Sequence, residues 1–269
     1  MRAPDLIHFV RQAAAGNPLR TVLLILAMSI GVAAVVVLTA LGDGARRYVV
    51  NEFSSLGTNL VIVLPGRSQT GGFSPGNAIT STPRDLTIDD AQALLRASAV
   101  RRVAPLLIGT SEINFGGKLR EVMVAGTTAQ YIDLRSLALA QGRFLPNTDW
   151  QRGAAECVIG AKIRDEVFGI ESPLGQLIRL SDRRFRVVGV MASTVQGLGM
   201  NTDEVIFVPV ATAQAMFNSN TLFRILVEAN SRPAIDSAKA QVAEILKLRH
   251  EGEEDVTVIT QDAVLATFD

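Results

Sequence analysis

The sequence contains one cysteine, Cys157, and two histidines, His8 and His250, which lie near opposite ends of the chain. A single cysteine excludes an internal disulfide framework. Cys157 lies in the apolar, strand-like run 156–159, which favours a small buried hydrophobe over the alternative of a reactive thiol. We assign His8 to an interfacial helix and His250 to an exposed helix end, and neither has a visible partner that would favour catalysis.

The sequence also lacks the short motifs of common enzyme, nucleotide and metal sites. It has no GxxxxGKS or GxxxxGKT loop, no GxSxG elbow, no HExxH helix and no Cys or His pairs at metal-binding spacing. The glycines of 196–200 separate two strands, which favours a mobile connector over a nucleotide loop. The acidic pair Asp89-Asp90 is typical of helix capping, and 251–254 of a solvated turn. The sequence therefore predicts no catalytic residues, metal site or cofactor.

Positive charge is not in excess. The 26 Lys and Arg residues balance 26 Asp and Glu residues, and aromatic residues make up 5% of the chain. A nucleic-acid binder needs a basic surface, commonly with aromatic residues among the basic ones. We therefore expect no nucleic-acid partner.

One long apolar run is present, at 21–41, and it contains no charged residue. As a helix it would be about 30 Å long, which matches the hydrocarbon core of a bilayer. The alternatives are a buried core helix and a cleaved signal peptide, whose apolar region is usually only about 7 to 15 residues long. We predict a transmembrane helix, with Ala27, Gly31 and Ala34 forming a strip of small residues that packs against other helices.

The charges flanking this run predict its orientation. Three arginines precede it and two follow it among acidic residues; these are Arg2, Arg11 and Arg20 before it, and Arg46 and Arg47 after it. The positive-inside rule places the N-terminus in the cytoplasm and the remaining chain outside. Residues 1–20 form an amphipathic pattern, which predicts an interfacial helix on the cytoplasmic leaflet of the lipid bilayer.

The helical pattern continues beyond the apolar run and predicts a stalk helix over 42–58. Its apolar face contains Ala45, Tyr48, Val49 and Phe53, and the residues 54–57 resemble a C-terminal cap. Gly42 and Gly44 each weaken a helix by about 1 kcal/mol relative to alanine. The stalk is therefore either supported by neighbouring elements or bent at these glycines.

Two β-α-β patterns follow, far apart in the chain. The first has a strand at 59–64, a polar stretch at 66–84 that predicts a mobile loop, a helix that starts at Thr87 with a capping-box acid, and a strand at 100–106. The second has a strand at 222–228, a helix started by 231–233 and a strand at 255–260. Two such units predict a split, ferredoxin-like sandwich.

Hairpin patterns occupy most of the stretch 108–220 between the two units. One hairpin pairs 111–115 with 118–125 around Gly116-Gly117, and a second spans 176–191 with its turn at Ser181-Asp182. An amphipathic helix at 161–168 precedes the second hairpin and ends at Gly169. We interpret this stretch as an inserted β-rich subdomain.

Short motifs along nearly the whole chain resemble one family. They are PLRT at 18–21, IGV at 30–32, ALGDG at 40–44, SSLGTN at 54–59, GRF at 142–144, VIG at 158–160, FG at 168–169, PLG at 173–175, VVGV at 187–190 and DEVIFVP at 203–209. Their order resembles that of the MacB-type (macrolide exporter) ABC transporter permeases and their periplasmic core domain. The resemblance implies a porter subdomain split by an inserted second subdomain.

The resulting expectation is an α+β fold with an N-terminal transmembrane helix, a ferredoxin-like split β-α-β porter subdomain and an inserted β-rich subdomain. The expected segments are an interfacial helix (1–20), a transmembrane helix (21–41), a stalk helix (42–58), the first half of the porter subdomain (59–107), the insertion (108–220) and the second half of the porter subdomain (221–269).

The resemblance also implies a function without catalysis in this chain. Such permeases pair with an ABC-type ATPase, act as dimers in the cell inner membrane, and expel drugs, peptides or toxins through partners such as a periplasmic adaptor, or extract lipoproteins. The alternatives are a membrane-tethered sensor or binding module, and a tethered hydrolase, against which the missing nucleophile and base argue.

The family has three further membrane helices after the periplasmic domain, whereas this sequence has no second apolar span. Residues 261–268 resemble the start of one. We therefore expect a truncated gene product, a split subunit or a fragment, which would need further permease helices for transport.

Overall fold

The computed structural model describes residues 18–54, 59–66, 84–193 and 201–260. This part of the chain divides at Asn51 into two units, and each is described by itself. The predictions for residues 1–17, for the helix cap at 55–57, for the loop at 67–83 and for the connector at 196–200 lie outside the described residues, as does the stretch 261–268.

The described part of the first unit is one long helix, α1, which covers Pro18–Ser54 and so extends three residues beyond the division at Asn51. It has 37 residues and runs without interruption through Gly42 and Gly44. The hydroxyl of Thr39 donates hydrogen bonds to the carbonyl oxygens of Val35 and Val36, at 2.9 and 3.0 Å. This polar side chain is therefore satisfied within its own helix, as a lipid environment requires.

The second unit contains ten strands and several helices. In chain order they are β1 (Leu60–Pro65), α2 (Ile88–Leu94), β2 (Val100–Phe115), β3 (Lys118–Thr127), α3 (Gln130–Leu134), β4 (Leu139–Gly142), β5 (Glu156–Ile159), α4 (Ala161–Ile163), which continues as a π-helical turn over Arg164–Phe168, β6 (Leu177–Leu180), β7 (Arg183–Met191), β8 (Val205–Pro209), α5 (Val210–Phe217), β9 (Arg224–Ala229), α6 (Ile235–Arg249) and β10 (Val256–Thr260). Two 3-10 turns, Thr202–Glu204 and Arg232–Ala234, precede β8 and α6.

Local sequence signals explain where several of these elements start. Thr87 and Asp90 form the predicted capping box of α2, with Asp90 N donating to Thr87 Oγ1 and Thr87 N donating to Asp90 Oδ2. Gly116 and Gly117 have φ angles of +58° and +81°, which the tight β2–β3 turn requires and which glycine adopts without strain. The β6–β7 hairpin turns at Ser181-Asp182, as predicted.

Four strands form one antiparallel half of the sheet, in the order β10-β1-β9-β2. Helix α2 connects β1 to β2, and α6 connects β9 to β10. Both helices pack on the same face of these strands, because buried side chains such as Leu94 and Leu246 join one core cluster with Val63 and Val227.

Strand β2 continues into the other half of the sheet. Residues 100–106 pair with β9, whereas residues 107–115 pair with β3. The prediction of two separate strands, at 100–106 and 111–115, is therefore wrong. Gly109 interrupts the strand pattern in the sequence. In the structure, the ring of Phe217 occupies the space that a Cβ atom at this position would need, so the glycine allows close packing instead of ending the strand.

The other half of the sheet has the order β3-β8-β5-β7-β4, with β6 pairing with β2 and β7. The two predicted hairpins, β2–β3 and β6–β7, are present, but β3–β8 and β5–β7 are parallel pairs. A second core cluster, containing Tyr131, Phe144 and Phe207, joins residues of both halves, such as Leu106 and Leu226.

Candidate functional site

The apolar part of α1 is a candidate membrane span over Pro18–Gly42, with a mean hydropathy of 2.8. This range extends the predicted span, 21–41, by a few residues. Its large apolar side chains are exposed, for example Leu24 at 63% and Val36 at 58%. Because exposing so many apolar side chains to water is unfavourable, this segment requires lipid or other helices around it.

The small residues Ala27, Gly31 and Ala34 lie on this span at spacings of four and three residues, which place them on one helical face. All three are exposed. Apart from the backbone and neighbouring residues of its own helix, no atom of the described part of the chain lies within 4 Å of a Cβ built at Gly31. That another helix packs against this strip remains a prediction.

The four stalk residues, Ala45, Tyr48, Val49 and Phe53, belong to the same helix as the membrane span. Their side chains lie outside what the structure describes. What the structure shows of the predicted stalk is its backbone, which continues the helix of the membrane span without a break.

The chain enters and leaves the folded unit on neighbouring strands. Strand β1 is the first strand and β10 the last, and they pair with each other in antiparallel register. Val61, at the start of β1, lies opposite Thr260, at the end of β10. The two segments that connect this unit to the rest of the chain therefore start from the same end of the sheet.

A buried polar cluster joins the two β-α-β units, and the sequence did not reveal it. His250 was predicted at an exposed helix end, but its side chain is only 3% exposed and lies between two carboxylates. Its Nδ1 atom lies 2.5 Å from Asp255 Oδ1, and its Nε2 atom lies 3.5 Å from Asp90 Oδ2. The prediction is wrong because the turn after α6 folds back over the first turn of α2.

The same cluster includes an ion pair. Arg249 Nε lies 2.6 Å from Asp90 Oδ1, and the Thr87 hydroxyl donates to Asp90 Oδ2 at 2.8 Å. Burial alone would raise the pKa of the Asp90 carboxyl, but hydrogen bonds from Arg249 and Thr87 outweigh it and hold that pKa below its ordinary value of 3.8. Asp90 therefore remains ionised as a tie between α2 and α6.

This cluster is suited to holding elements together rather than to catalysis. The His250 ring is buried, and both of its nitrogens face carboxylates, so neither nitrogen is presented to a substrate. Cys157 is fully buried, and burial raises the pKa of its thiol far above the usual value, so the prediction of a small buried hydrophobe is confirmed. Among residues 18–54, 59–66, 84–193 and 201–260, no group of His, Cys, Asp and Glu side chains is arranged to hold a metal.

Comparison with known families and proteins gives a consistent result. Residues 21–245 match the model of the MacB-like periplasmic core domain. The chain is 32% identical over 253 residues to a macrolide export ATP-binding/permease protein MacB of Rhodopseudomonas palustris, covering 93% of this chain and 38% of that protein. It is 31% identical over 252 residues to a pyoverdine export ATP-binding/permease protein PvdT of Pseudomonas entomophila, covering 93% and 37%. The chain thus spans less than two-fifths of the length of these curated relatives.

Solved structures show the same fold. The periplasmic region of MacB from Actinobacillus actinomycetemcomitans superposes with a TM-score of 0.68 at 23% identity, covering 80% of this chain and 95% of that one. The extracellular domain of the ABC-type transporter YknZ from Gram-positive bacteria gives a TM-score of 0.62 at 20% identity, covering 75% and 100%. The chain belongs to the MacB-like periplasmic core domain family: it is the periplasmic core domain of a MacB-like ABC transporter permease, preceded by a helix able to span a membrane.

Proposed function

We propose that this chain passes ATPase-driven motion from the membrane to the periplasmic side, where a substrate is exported or extracted. The observation that carries the proposal is the pairing of β1 with β10, with Val61 opposite Thr260. Segments on either side of the folded unit attach to adjacent strands of one sheet. A displacement of these attachments would act on the sheet as a unit, since buried β-sheets deform little.

The length of α1 supports a stalk. Thirty-seven helical residues are about 55 Å long, whereas the hydrocarbon core of a bilayer is only about 30 Å thick. The part beyond Gly42 therefore extends out of the apolar layer. We assign the stalk to this part, with Ala45, Tyr48, Val49 and Phe53 on its apolar face.

The partners follow from the same proposal. The names of the curated relatives include both an ATP-binding and a permease part, and we propose that an ABC-type ATPase drives this chain as well. Further permease helices and a second permease copy would complete the membrane part, with the strip at Ala27, Gly31 and Ala34 as one contact surface. A periplasmic adaptor is a further proposed partner.

We also propose a division of the folded unit into a ferredoxin-like porter subdomain, formed by residues 59–107 and 221–269, and an insertion, 108–220. The antiparallel order β10-β1-β9-β2, with α2 and α6 on one face, supports the first part. The boundary is supported by β2, which exchanges its partner β9 for β3 between Leu106 and Leu107.

For the orientation we propose that residues 1–20 are cytoplasmic and that the folded unit lies in the periplasm, with α1 in the inner membrane. Alkaline phosphatase fused after Asp269 should be active, because it folds only outside the cytoplasm, and a cytoplasmic reporter at the same site should be inactive. The reverse pattern would overturn the orientation.

The transmission proposal is tested by Val49→Pro in the complete transporter with its ATPase. Proline removes a backbone donor and clashes with the preceding turn, which costs about 3 kcal/mol or more of local helix stability. We expect membrane insertion and ATP hydrolysis to persist while export falls strongly. Val49→Ala is the matched control, since alanine keeps the helix. Normal export by a stably expressed Val49→Pro protein would refute a continuous stalk and favour a tethered sensor or binding module.

A further inference from the structure

A cleft lies at the carboxyl ends of the neighbouring parallel strands β3 and β8. Thr127 is the last residue of β3 and pairs with Pro209, the last residue of β8. Helix α5 begins directly afterwards, at Val210, and has no side-chain cap at its N-terminus. The carboxyl ends of parallel strands and the free amides of a helix N-terminus are where α/β proteins commonly bind anionic groups.

Residues 145–152 form the outer wall of this cleft, and Trp150 and Arg152 line it. The wall is fixed to the first turn of α5 by Thr212, whose hydroxyl accepts a hydrogen bond from Ala154 N at 3.1 Å and donates one to Ala154 O at 3.0 Å. The cleft is therefore a built feature of the fold and not a gap beside a loose loop.

Two adjacent threonines lie at the inner wall, and they differ in one respect. The Thr127 hydroxyl donates to the carbonyl oxygen of Pro105 at 2.8 Å. The Thr128 side chain is also buried, with 6% of the residue exposed, but its hydroxyl has no hydrogen-bond partner among the residues that the structure describes. A buried hydroxyl without a partner is unfavourable, so at a cleft wall it favours a further polar group as its partner.

The size and charge of the cleft restrict which group can bind the Thr128 hydroxyl. The inner space is about 10 Å³, roughly the room that one water molecule or one ligand oxygen needs. The lining includes one cation, Arg152, and one anion, Asp149, so its formal charge is zero. Arg152 has no ion-pair partner among the described residues, whereas Asp149 Oδ1 accepts a hydrogen bond from the amide of Gln151. A singly charged carboxylate suits this lining better than a doubly charged phosphate.

We propose that this cleft binds the carboxylate group of a ligand, with one oxygen at the Thr128 hydroxyl and the α5 N-terminus, and with Trp150 covering the adjoining carbon atoms. Arg152 supplies the opposing charge at the rim. The carboxylate can belong to a small organic acid or to the C-terminus of a peptide. This proposal is independent of how motion reaches the domain.

The chain supplies its own probe, because Trp150 is its single tryptophan. We would titrate the full chain in a neutral detergent with acetate and with N-acetylglycine, using chloride at equal ionic strength as the reference and recording tryptophan fluorescence. A saturable change is expected for both carboxylates, and a weaker response for phosphate. A tripeptide with a free C-terminus, compared with its amidated form, distinguishes a peptide from a small acid as the source of the carboxylate.

Variants of the two threonines decide whether the hydroxyl is used. Thr128→Val should weaken carboxylate binding about tenfold, the loss expected for one hydrogen bond to a charged group, while the unfolding midpoint stays the same or rises. Thr128→Ser should keep binding. Thr127→Val should instead lower the unfolding midpoint, because it leaves the Pro105 carbonyl without its donor.

Arg152→Gln should weaken carboxylate binding severalfold, and Arg96→Gln, a matched change of an exposed arginine away from the cleft, should leave it unchanged. The proposal is overturned if no carboxylate gives a saturable response, which would leave a bound water as the partner of Thr128. It is also overturned if Thr128→Val binds carboxylates as the parent chain does.

Discussion

Helix α1 and the folded unit that follows it distribute their apolar side chains in opposite ways. In α1, leucines and valines such as Leu24 and Val36 are more than half exposed. In the folded unit, residues of the same types, such as Leu246 and Val63, are fully buried in a core formed by the chain itself. The folded unit thus buries its apolar side chains within itself, whereas those of α1 need lipid or other helices around them. Substitutions that are alike in chemistry should therefore have different consequences in the two regions.

The largest difference is expected for leucine to alanine changes in the two helices. Leu246→Ala in α6 should lower the free energy of unfolding of the folded unit by about 2 to 5 kcal/mol, because it removes buried methyl groups and leaves a cavity. Leu24→Ala in α1 should leave this free energy unchanged. Urea unfolding of the detergent-solubilised chain, followed by Trp150 fluorescence, measures both.

Leu248→Ala serves as a second control for that measurement, since Leu248 lies in the same helix as Leu246 but is 74% exposed. It should change the unfolding free energy by less than about 0.5 kcal/mol. Equal losses for Leu246→Ala and Leu24→Ala would contradict the contrast between the two regions.

The polar contacts of the folded unit can be tested with adjacent aspartates. Asp90→Ala should lower the unfolding free energy by about 3 kcal/mol, because it removes the capping box, leaves Arg249 without its buried carboxylate and leaves the Nε2 atom of His250 facing none. Asp89→Ala changes the same helical turn, but Asp89 is exposed and, within the described part of the chain, accepts a single hydrogen bond, from Gln151. We expect a loss below about 1 kcal/mol for this control. Similar losses for the two variants would argue against a buried tie between α2 and α6.

The membrane helix should respond to a change that adds bulk rather than removing it. Gly31→Leu should weaken association of α1 with other helices by about 1 kcal/mol, roughly fivefold, because it blocks close approach at the small-residue strip. Ala33→Leu adds nearly as much bulk about 200° away around the helix and should have little effect. Cross-linking in membranes measures the association of both variants. Unchanged cross-linking of Gly31→Leu would contradict the small-residue strip as a contact surface.

The smallest expected effect is a pH dependence of the folded unit that depends on Asp90. Its pKa is lower in the folded chain than the ordinary value of 3.8, so the unfolded chain binds more protons as the pH approaches that value. The stability that Asp90 contributes is therefore present above pH 3.8 and is lost as the pH falls through the lower folded value. The unfolding free energies of the parent chain and of Asp90→Asn should converge as the pH is lowered. A difference that stays constant with pH would contradict the lowered pKa of Asp90.

Several parts of the fold could be predicted because their signals are local. An uncharged apolar run predicts the membrane helix, the Thr87 and Asp90 pair predicts the start of α2, and Gly116-Gly117 predicts the β2–β3 turn. Each depends on residues a few positions apart, whose interactions follow from helical or hairpin geometry alone. The family resemblance along the chain was confirmed by the comparisons.

Other parts depended on contacts between residues far apart in the chain. The parallel pairs β3–β8 and β5–β7, the continuation of β2 through Gly109 and the burial of His250 have no local signal. Arg249 and His250 meet Asp90 across about 160 positions of sequence, and the cleft beside Thr128 exists only because β3, β8 and the segment 145–152 converge. The sequence by itself determined which segments are apolar, capped or turning, since these properties reside in neighbouring residues. Only the tertiary structure decided which polar groups are buried together, because burial and pairing depend on segments brought together by the folded chain.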